Sequence, residues 1–379
     1  MVMGKASTMA CIVEVMGLAL PGAGTVPATH ADRLRVAEAS GRQAAAMARS
    51  GQPRPSELMT PASFRNALIV LQAIGGSTNA LIHLTAAAGR LGLEIDLDEV
   101  DRLGREVPVL IDLKPAGKHY MEHFHWAGGV PRLLQELGDA LDLDTPTVSG
   151  EPLRASMERA EQVPGQDVIR SRASPVNAHG SMVVVRGNLA PLGAIVKQAA
   201  ATPSLMAHTG RAVVFDSVED MTVRIDDPEL DVRADDVLVL RNAGPIGAPG
   251  MPEAGYIPIP RKLASAGVRD MVRISDARMS GTAFGTIVLH MTPESAIGGP
   301  LALVREGDRI RLDVEARRID LLIDETEMTR RRAELVLPPQ GAATAPDRGY
   351  AALFHRSVTQ ADKGCDFDFL IPPARLDGA

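Results

Sequence analysis

Residues Ile274–Pro300 read ISDARMSGTAFGTIVLHMTPESAIGGP and set a group of polar side chains between two apolar runs. Asp276, Arg278, Ser280 and Thr282 lie close together there, with Gly281 among them and Gly285 shortly after. Polar groups between buried strands are costly unless they have partners, so their density needs a reason. Two interpretations fit the segment alone: a glycine-rich turn whose side chains cap a helix, or part of a functional site.

Length and composition predict a soluble globular protein with two domains. The chain has 379 residues, of which 45% are hydrophobic and 23% are charged. The 40 basic and 47 acidic residues give a net charge of −7, which argues against a nucleic-acid partner. Aromatic residues make up 3%, which leaves little for stacking on bases.

The positions of the two cysteines and the lengths of the apolar segments indicate in which cellular compartment the protein resides. Cys11 and Cys365 lie near opposite ends of the chain and form no CxxC motif, which favours a reducing compartment. The start carries no signal-peptide pattern, and no apolar stretch approaches the ~18 residues of a membrane span. We therefore expect a cytoplasmic protein with no membrane partner.

The first fifty residues carry apolar side chains at helical spacing. The pattern predicts a helix over 7–20, with Ser7 or Thr8 as its cap, and a second helix over 31–50. Pro21 and Gly22 are expected to end the first of them.

A helical region over 63–91 is interrupted by the glycine-rich corner Gly75–Asn79. Two glycines are predicted to end one helix, and Ser77, Thr78 or Asn79 to cap the next. The corner is either a packing turn or an anion site lined by backbone amides, because amides at a helix start favour a carboxylate or phosphate.

The continuous apolar run over 107–113 predicts a buried parallel strand, and its alternation with helices indicates an α/β domain. A helix is predicted over 132–141. His119 and His123 are at i and i+4 and could share a helical face, but no HExxH motif is present. A helix at a domain or subunit interface is the favoured interpretation there.

A polar, Pro- and Gly-containing stretch over 142–172 predicts the crossing to a second domain. Beyond it the apolar spacing becomes strand-like, which predicts a β-rich barrel or sandwich followed by a charged helix over 325–335 and a flexible link over 338–346. The predicted domains are 1–165, 175–345 and a tail over 346–379. Strands are predicted over 182–186, 194–197, 212–215, 237–241, 272–274, 286–290, 309–314 and 319–323, the last two as a hairpin.

Polar turns of the second domain are candidate sites. Arg186–Pro191 follows a strand, and His208–Arg211 is predicted as a turn before one. The loop Arg241–Glu253 is punctuated by Gly and Pro and delivers one carboxylate, Glu253. Glu253 is either a solvated surface acid or a rigidly held functional group.

Eight short motifs follow one another over nearly the whole chain: AIGGSTN (Ala73–Asn79), DLKP (Asp112–Pro115), FH (Phe124–His125), AGGVP (Ala127–Pro131), RGNLA (Arg186–Ala190), GMPE (Gly250–Glu253), SDARMSG (Ser275–Gly281) and GGP (Gly298–Pro300). In this order they resemble the dihydroxy-acid dehydratase/phosphogluconate dehydratase family. Within that family, Ser280–His290, His208–Arg211 and Gly364–Leu370 resemble sugar-acid dehydratases that act on aldonates such as arabinonate or xylonate.

The resemblance implies a fold, cofactors and site residues. The fold is an α/β domain with a swivelling β-rich domain, and the protein a homodimer or homotetramer with its site at a dimer interface. The cofactors are an iron–sulfur cluster, whose open iron takes the leaving hydroxyl, and Mg²⁺. Ser280 would be the base and Glu253 a Mg²⁺ ligand. Thr282 would contact the substrate, as would Ser77, Thr78 and Asn79.

The sequence departs from the family pattern in its cysteines. The resemblance aligns the first residues with the segment that follows the last cluster cysteine, and neither Cys11 nor Cys365 matches a ligand position. In the loop after the strand over 237–241, the family usually has a cysteine or another side chain at the position of Ala243. It usually has a lysine at the position of Ile246.

The expectation is therefore an N-terminally truncated hydro-lyase, inactive by itself, that would convert an aldonate to a 2-keto-3-deoxy acid. Two alternatives stay open at this point. One is a dihydroxy-acid dehydratase of branched-chain amino-acid biosynthesis, and the other is a non-catalytic dimerising or binding remnant.

Overall fold

The computed structural model describes residues 1–336 and 348–372. These residues form two compact units. The first contains Met1–Leu81 and Glu99–Ser181, and the second contains Ile82–Asp98 and the residues from Met182 onward. The predicted link over 338–346 lies outside the described residues. The sequence-based domain limits stay predictions, and the inclusion of Ile82–Asp98 in the second unit was not among them.

Helices make up most of the chain before residue 159. The predicted helix over 31–50 and the helix pair within 63–91 are confirmed, with Gly51 and Gly75 in the left-handed region after their helices. The helices are α1 Lys5–Val15, α2 Asp32–Ser50, α3 Pro55–Leu58, α4 Pro61–Ala73, α5 Asn79–Gly89, α6 Leu97–Glu106, α7 Met121–Trp126, α8 Gly129–Leu137 and α9 Leu153–Glu158.

The predicted bounds of the first helix were wrong at both ends. Helix α1 begins at Lys5, and the side chain of Ser7 accepts the Gly4 N–H at 2.9 Å, so Ser7 lies inside the helix rather than at its cap. It ends at Val15, because Gly17 adopts a φ of +74° that an α-helix cannot contain. The apolar spacing continues past that point, and so it overstated the length.

The strand predicted over 107–113 was also wrong. The segment is buried, but it makes only isolated bridges, of Val109 with Asn177, Ile111 with Ile169 and Leu113 with His119. The Leu110 N–H donates to the carbonyl of Ala73 at the end of α4, at 2.8 Å. The end of a helix and an irregular segment therefore supply the backbone hydrogen bonds that neighbouring strands would have supplied. Apolar spacing in the sequence cannot distinguish these two environments.

Two local predictions near the histidines also need correction. His119 precedes α7 and is not on a shared helical face with His123, although the two rings meet edge-on at 5.6 Å. Helix α8 ends at Leu137 rather than at 141, since Gly138 has a φ of +51°. Within the described ranges, no group of three or more His, Cys, Asp or Glu side chains could hold a metal ion.

The second unit contains an eight-stranded mixed sheet, which confirms the β-rich domain and its barrel form. The strands lie in the order β1-β2-β6-β5-β4-β3-β7-β8, with β3 to β6 parallel and the outer pairs antiparallel. Arg186 exchanges backbone hydrogen bonds of 2.9 Å with Arg317 and Ile319, which joins the two edge strands and closes the sheet. The strands are β1 Val183–Val185, β2 Gly193–Val196, β3 Ala207–Phe215, β4 Val237–Leu240, β5 Val272–Ser275, β6 Ile287–Thr292, β7 Arg309–Asp313 and β8 Arg318–Leu321.

Alternating side chains of these strands fill the barrel interior, as the period of a strand requires. The opposite face of the parallel strands packs against α10 (Val218–Arg224) and α11 (Arg261–Ser265). The interior includes Val183, Val185, Ala194, Val196, Val239, Ile274, Val288, Leu312 and Ile319.

The turn predicted at His208–Arg211 is part of β3, where it pairs with the first strand of the predicted hairpin. Its outward side chains are partly exposed and polar, so their sequence resembles a turn rather than a strand. The charged helix is confirmed as α12 (Glu325–Glu334), whose cap, Asp324, accepts the Glu327 N–H at 2.8 Å. Helix α13 follows at Gly349–Ser357. In the part of the chain described, no helix combines the length and apolar character needed to span a bilayer.

Candidate active site

The turn that carries Ser280 connects β5 to β6 in the second unit. The hydroxyl oxygens of Ser280 and Thr282 lie 3.0 Å apart, within hydrogen-bond distance. Ser280 is half-buried and Thr282 is exposed. Beneath them, Met279 and Ala283 pack against apolar side chains of β6. The strand therefore supports a turn that presents two adjacent hydroxyl groups.

The loop that carries Glu253 is fastened to the same turn. Arg278 donates from Nε to the carbonyl of Met251 at 2.6 Å and from Nη2 to that of Gly250 at 3.1 Å. Ala254 forms a backbone bridge with Met279, and Glu253 itself is exposed. The structure thus brings the Glu253 loop against the segment that leads into Ser280. Arg278 therefore holds the Glu253 loop in place.

Asp276 has an anchoring role rather than an exposed one. Only 1% of it is exposed, and its carboxylate accepts the N–H groups of Ala243 at 3.0 Å and Ser295 at 2.9 Å, as well as the Ser295 hydroxyl. Burial raises the pKa of this carboxyl group. Asp276 therefore fixes the loop after β4 to the segment after β6, and it is unavailable to a ligand.

Glu294 is a second buried anchor, which the sequence analysis missed. It accepts the N–H of Ile246 at 3.0 Å and of Gly247 at 2.9 Å, and the side-chain amide of Gln360 donates to it at 2.7 Å. Burial raises the pKa of Glu294 as well. An acid placed directly after an apolar strand was the available signal, but its partners are far away in the sequence.

A buried ion pair lies at the other side of the Ser280 turn. Arg273 Nη2 lies 2.6 Å from Asp270 Oδ1, and Arg273 Nη1 donates to the carbonyl of Tyr256 at 2.8 Å. Gly285 ends the turn at a φ of +118°, and a Cβ there would lie 1.8 Å from the Arg273 guanidinium. Only glycine satisfies both conditions, so the pair and Gly285 together fix the end of the turn.

The corner Gly75–Asn79 belongs to the first unit and is buried. The Ser77 N–H donates to Thr8 Oγ1 at 3.0 Å, and the Asn79 N–H donates to Ser77 Oγ at 3.3 Å. The Ser77 hydroxyl thus accepts the N–H of the first residue of α5, and two of the corner's amides already have partners. Thr78 Oγ1 is buried with no hydrogen-bond partner within residues 1–336 and 348–372. The roles of these residues in substrate binding stay predictions.

Comparison with protein families covers both units. Residues 1–156 match the family model described as dihydroxy-acid/6-phosphogluconate dehydratase N-terminal, and residues 167–365 match its C-terminal counterpart. The chain belongs to the dihydroxy-acid/6-phosphogluconate dehydratase family. The family predicted from the sequence motifs is thereby confirmed.

Several members of the dehydratase family are similar along almost the whole chain. The L-arabinonate dehydratase of Rhizobium leguminosarum bv. trifolii is 47% identical over 94% of this chain and 61% of its own length. The 6-deoxy-6-sulfo-D-gluconate dehydratase of Pseudomonas putida is 45% identical over 97% of this chain and 63% of its own length. The dihydroxy-acid dehydratase of Carboxydothermus hydrogenoformans is 39% identical over 96% of this chain and 65% of its own length. The chain thus spans less than two thirds of each of these relatives.

The cysteines of this chain do not fit the iron–sulfur cluster that the resemblance implies. Burial raises the pKa of the Cys11 thiol far above its usual value and that of Cys365 to about 12. Cys365 contacts the sulfur of Met251 at 3.4 Å. Cluster ligation requires several thiolates, whereas these thiols are single and strongly disfavour ionisation. Glu253 does fit as one oxygen ligand of Mg²⁺, because its carboxylate is exposed on a fixed loop.

Proposed function

We propose that this chain belongs to a hydro-lyase that converts a sugar acid, an aldonate, to its 2-keto-3-deoxy acid. The observation that carries the proposal is the pair of adjacent hydroxyl groups at Ser280 and Thr282 beside the Glu253 loop, in a member of a dehydratase family. The substrate class is supported by similarity. The two relatives named for sugar acids are 47% and 45% identical, and the dihydroxy-acid dehydratase is 39% identical.

Dehydration of a polyhydroxy acid needs a base for the proton next to the carboxylate and a cation for the charge that then develops on the enolate. Ser280 is the proposed base. A serine hydroxyl can take this proton only after it has lost its own, and a cation bound nearby would favour that loss. The Ser280 oxygen is held at hydrogen-bond distance from Thr282, so one hydroxyl can accept a hydrogen bond while the other contacts the substrate. Ser77, Thr78 and Asn79 remain proposed substrate contacts of the first unit.

Glu253 is proposed to bind Mg²⁺, which would supply positive charge next to the substrate oxygens. Arg278 holds the backbone of the Glu253 loop through the carbonyls of Met251 and Gly250, so the backbone at the start of the Glu253 segment is fixed without the ligand. An iron–sulfur cluster and a homodimer or homotetramer remain predictions from the resemblance. No catalytic step is derived through the cluster, since the thiols described here do not fit it.

The test is turnover by the protein expressed as its gene encodes it, reconstituted with iron, sulfide and Mg²⁺. Candidate substrates are L-arabinonate, 6-deoxy-6-sulfo-D-gluconate and 2,3-dihydroxyisovalerate, and the 2-keto acid product is measured by its semicarbazone absorbance. We expect turnover of a sugar acid, its loss in Ser280→Ala, and its retention in the matched control Ser265→Ala, an exposed serine at the end of α11.

Three results would contradict parts of this proposal. Turnover of 2,3-dihydroxyisovalerate alone would assign the chain to the branched-chain pathway enzyme. Binding of aldonates without turnover would indicate a binding protein. Full activity of Ser280→Ala would remove the serine from the role of base.

A further inference from the structure

Lys197 is a buried cation to which the sequence analysis gave no role. It directly follows β2, and only 2% of it is exposed. Its Nζ has no hydrogen-bond partner within the described ranges 1–336 and 348–372. Lysine is almost never fully buried unless it is paired, because removing an ammonium group from water is costly. Among the residues that the structure describes, no side chain pairs with this ammonium group.

The pairing of β2 with β6 places Lys197 on the side of the sheet that supports the Ser280 turn. Val196 lies opposite Val288, and both side chains fill the barrel interior. Neighbouring residues of a strand point to opposite faces, so Lys197 and Ile287 share the outer face. Ile287 packs there against Met279, the residue directly before Ser280.

Backbone contacts tie the segment after Lys197 to the end of the same turn. The Gly285 N–H donates to the carbonyl of Ala200 at 2.8 Å. The Thr202 N–H donates to Thr286 Oγ1 at 3.0 Å. The lysine thus lies in the layer that carries the proposed base, on a segment that is fixed to that base's turn at two points.

The buried carboxylates of this part of the unit already have other partners. Asp270 pairs with Arg273, and Asp276 and Glu294 accept backbone and side-chain hydrogen bonds from their loops. Burial lowers the pKa of Lys197 to about 8, which leaves the amine mostly protonated at neutral pH. The second unit therefore holds a positive charge in the apolar layer beneath the Ser280 turn, and none of the acids described in residues 1–336 and 348–372 pairs with it.

We propose that Lys197 binds the carboxylate of the sugar-acid substrate. The inference rests on the proposed function and assigns the residue that selects for a carboxylate. In a layer with little water an ammonium–carboxylate pair is stronger than at the surface. Proton removal next to the carboxylate places further negative charge on it, so the same cation stabilises the enolate more than the substrate.

The experiment compares a charged and an uncharged ligand. Calorimetric titration with Mg²⁺ present measures the affinity for L-arabinonate and for L-arabinitol, which lacks the carboxylate. Lys197→Met removes the charge at similar length, and Lys197→Arg retains it. We expect the affinity of Lys197→Met for the aldonate to fall about tenfold to a hundredfold, as loss of a charge-assisted hydrogen bond predicts. Its affinity for the alditol should be unchanged, and Lys197→Arg should recover most of the aldonate affinity.

A measurement on the unsubstituted protein makes the test independent of how the variants fold. In protein labelled with ¹⁵N-lysine, the Nζ resonance that is absent from Lys197→Arg should shift when L-arabinonate is added. It should not shift with L-arabinitol or with inorganic phosphate.

Two outcomes are distinguishable as failures. If the wild-type protein binds no aldonate, both this inference and the proposed function are wrong. If it binds L-arabinonate but Lys197→Met binds it equally well, or if the Nζ resonance does not respond, only the role of Lys197 is wrong. An equal loss of affinity for the aldonate and the alditol would indicate a structural lysine and would also overturn the role.

Discussion

Replacing Lys197 by methionine should make the folded protein more stable at neutral pH. Burial lowers the pKa of this amine from 10.5 to about 8 in the folded state. At ~1.4 kcal/mol for each pKa unit, the protonated amine costs the folded state about 3 kcal/mol. Methionine removes that cost and keeps a side chain of similar length in the apolar layer.

The sign of the pH dependence follows from which state holds the proton. Between pH 8 and 10.5 the unfolded chain keeps the proton of Lys197 and the folded protein loses it, so the free energy of unfolding rises with pH. The cost is fully present below about pH 8 and disappears above pH 10.5. Ile287, Leu289, Met279 and Ala283, which form the apolar layer on that face, do not titrate in this range.

Urea unfolding followed by circular dichroism at pH 7, 9 and 10.5 checks this prediction. The stability gain of Lys197→Met should approach about 3 kcal/mol at pH 7 and vanish toward pH 10.5. Lys118→Met, at an exposed lysine, is the control and should show no such trend. A variant less stable than the wild type at pH 7 would show that Lys197 already has an anionic partner in the protein. A gain independent of pH would show that burial does not lower the pKa of Lys197.

Three further predictions concern buried groups. Asp276→Ala should lower the free energy of unfolding by about 3 kcal/mol, because buried N–H donors lose their acceptor. Urea unfolding measures this loss, and a loss below about 1 kcal/mol would contradict the anchoring role. Gly285→Ala should lower the melting temperature more than Gly267→Ala, since both have a positive φ but only Gly285 would also collide with Arg273; equal effects would refute the collision. Burial raises the pKa of Glu14 to about 7, so the folded carboxyl keeps its proton where the unfolded one loses it, and stability should fall as pH rises from 4.5 to about 7. Glu14→Gln should flatten that profile in urea unfolding, and an unchanged slope would assign the loss to other groups.

The site could be predicted only in part from the sequence. The Ser280 turn and the Glu253 loop were recognisable because each is a short contiguous motif between apolar runs. The sequence could not show that Asp276 is an anchor, since its partner Ala243 is 33 residues away. The bond between Glu294 and Gln360 joins residues 66 apart, and no local pattern connects them.

The sequence by itself determined the elements whose signal is local. Most strands of the second unit were predicted because apolar runs between Gly, Pro and Asp turns identify strands without reference to their neighbours. The hairpin of β7 and β8 followed from its period of two, and the family followed from motifs that are each contiguous.

Only the tertiary structure decided how these elements pair and which charges are buried. The run over 107–113 has the composition of a strand, yet the end of α4 and an irregular segment satisfy its backbone. Sequence shows that Asp276, Glu294 and Lys197 are charged, but a charge acquires a cost or a partner only when distant segments remove it from water. The Ser280 turn is therefore a local motif, but the groups around it depend on the fold. They are two buried acids, a buried ion pair and a buried lysine.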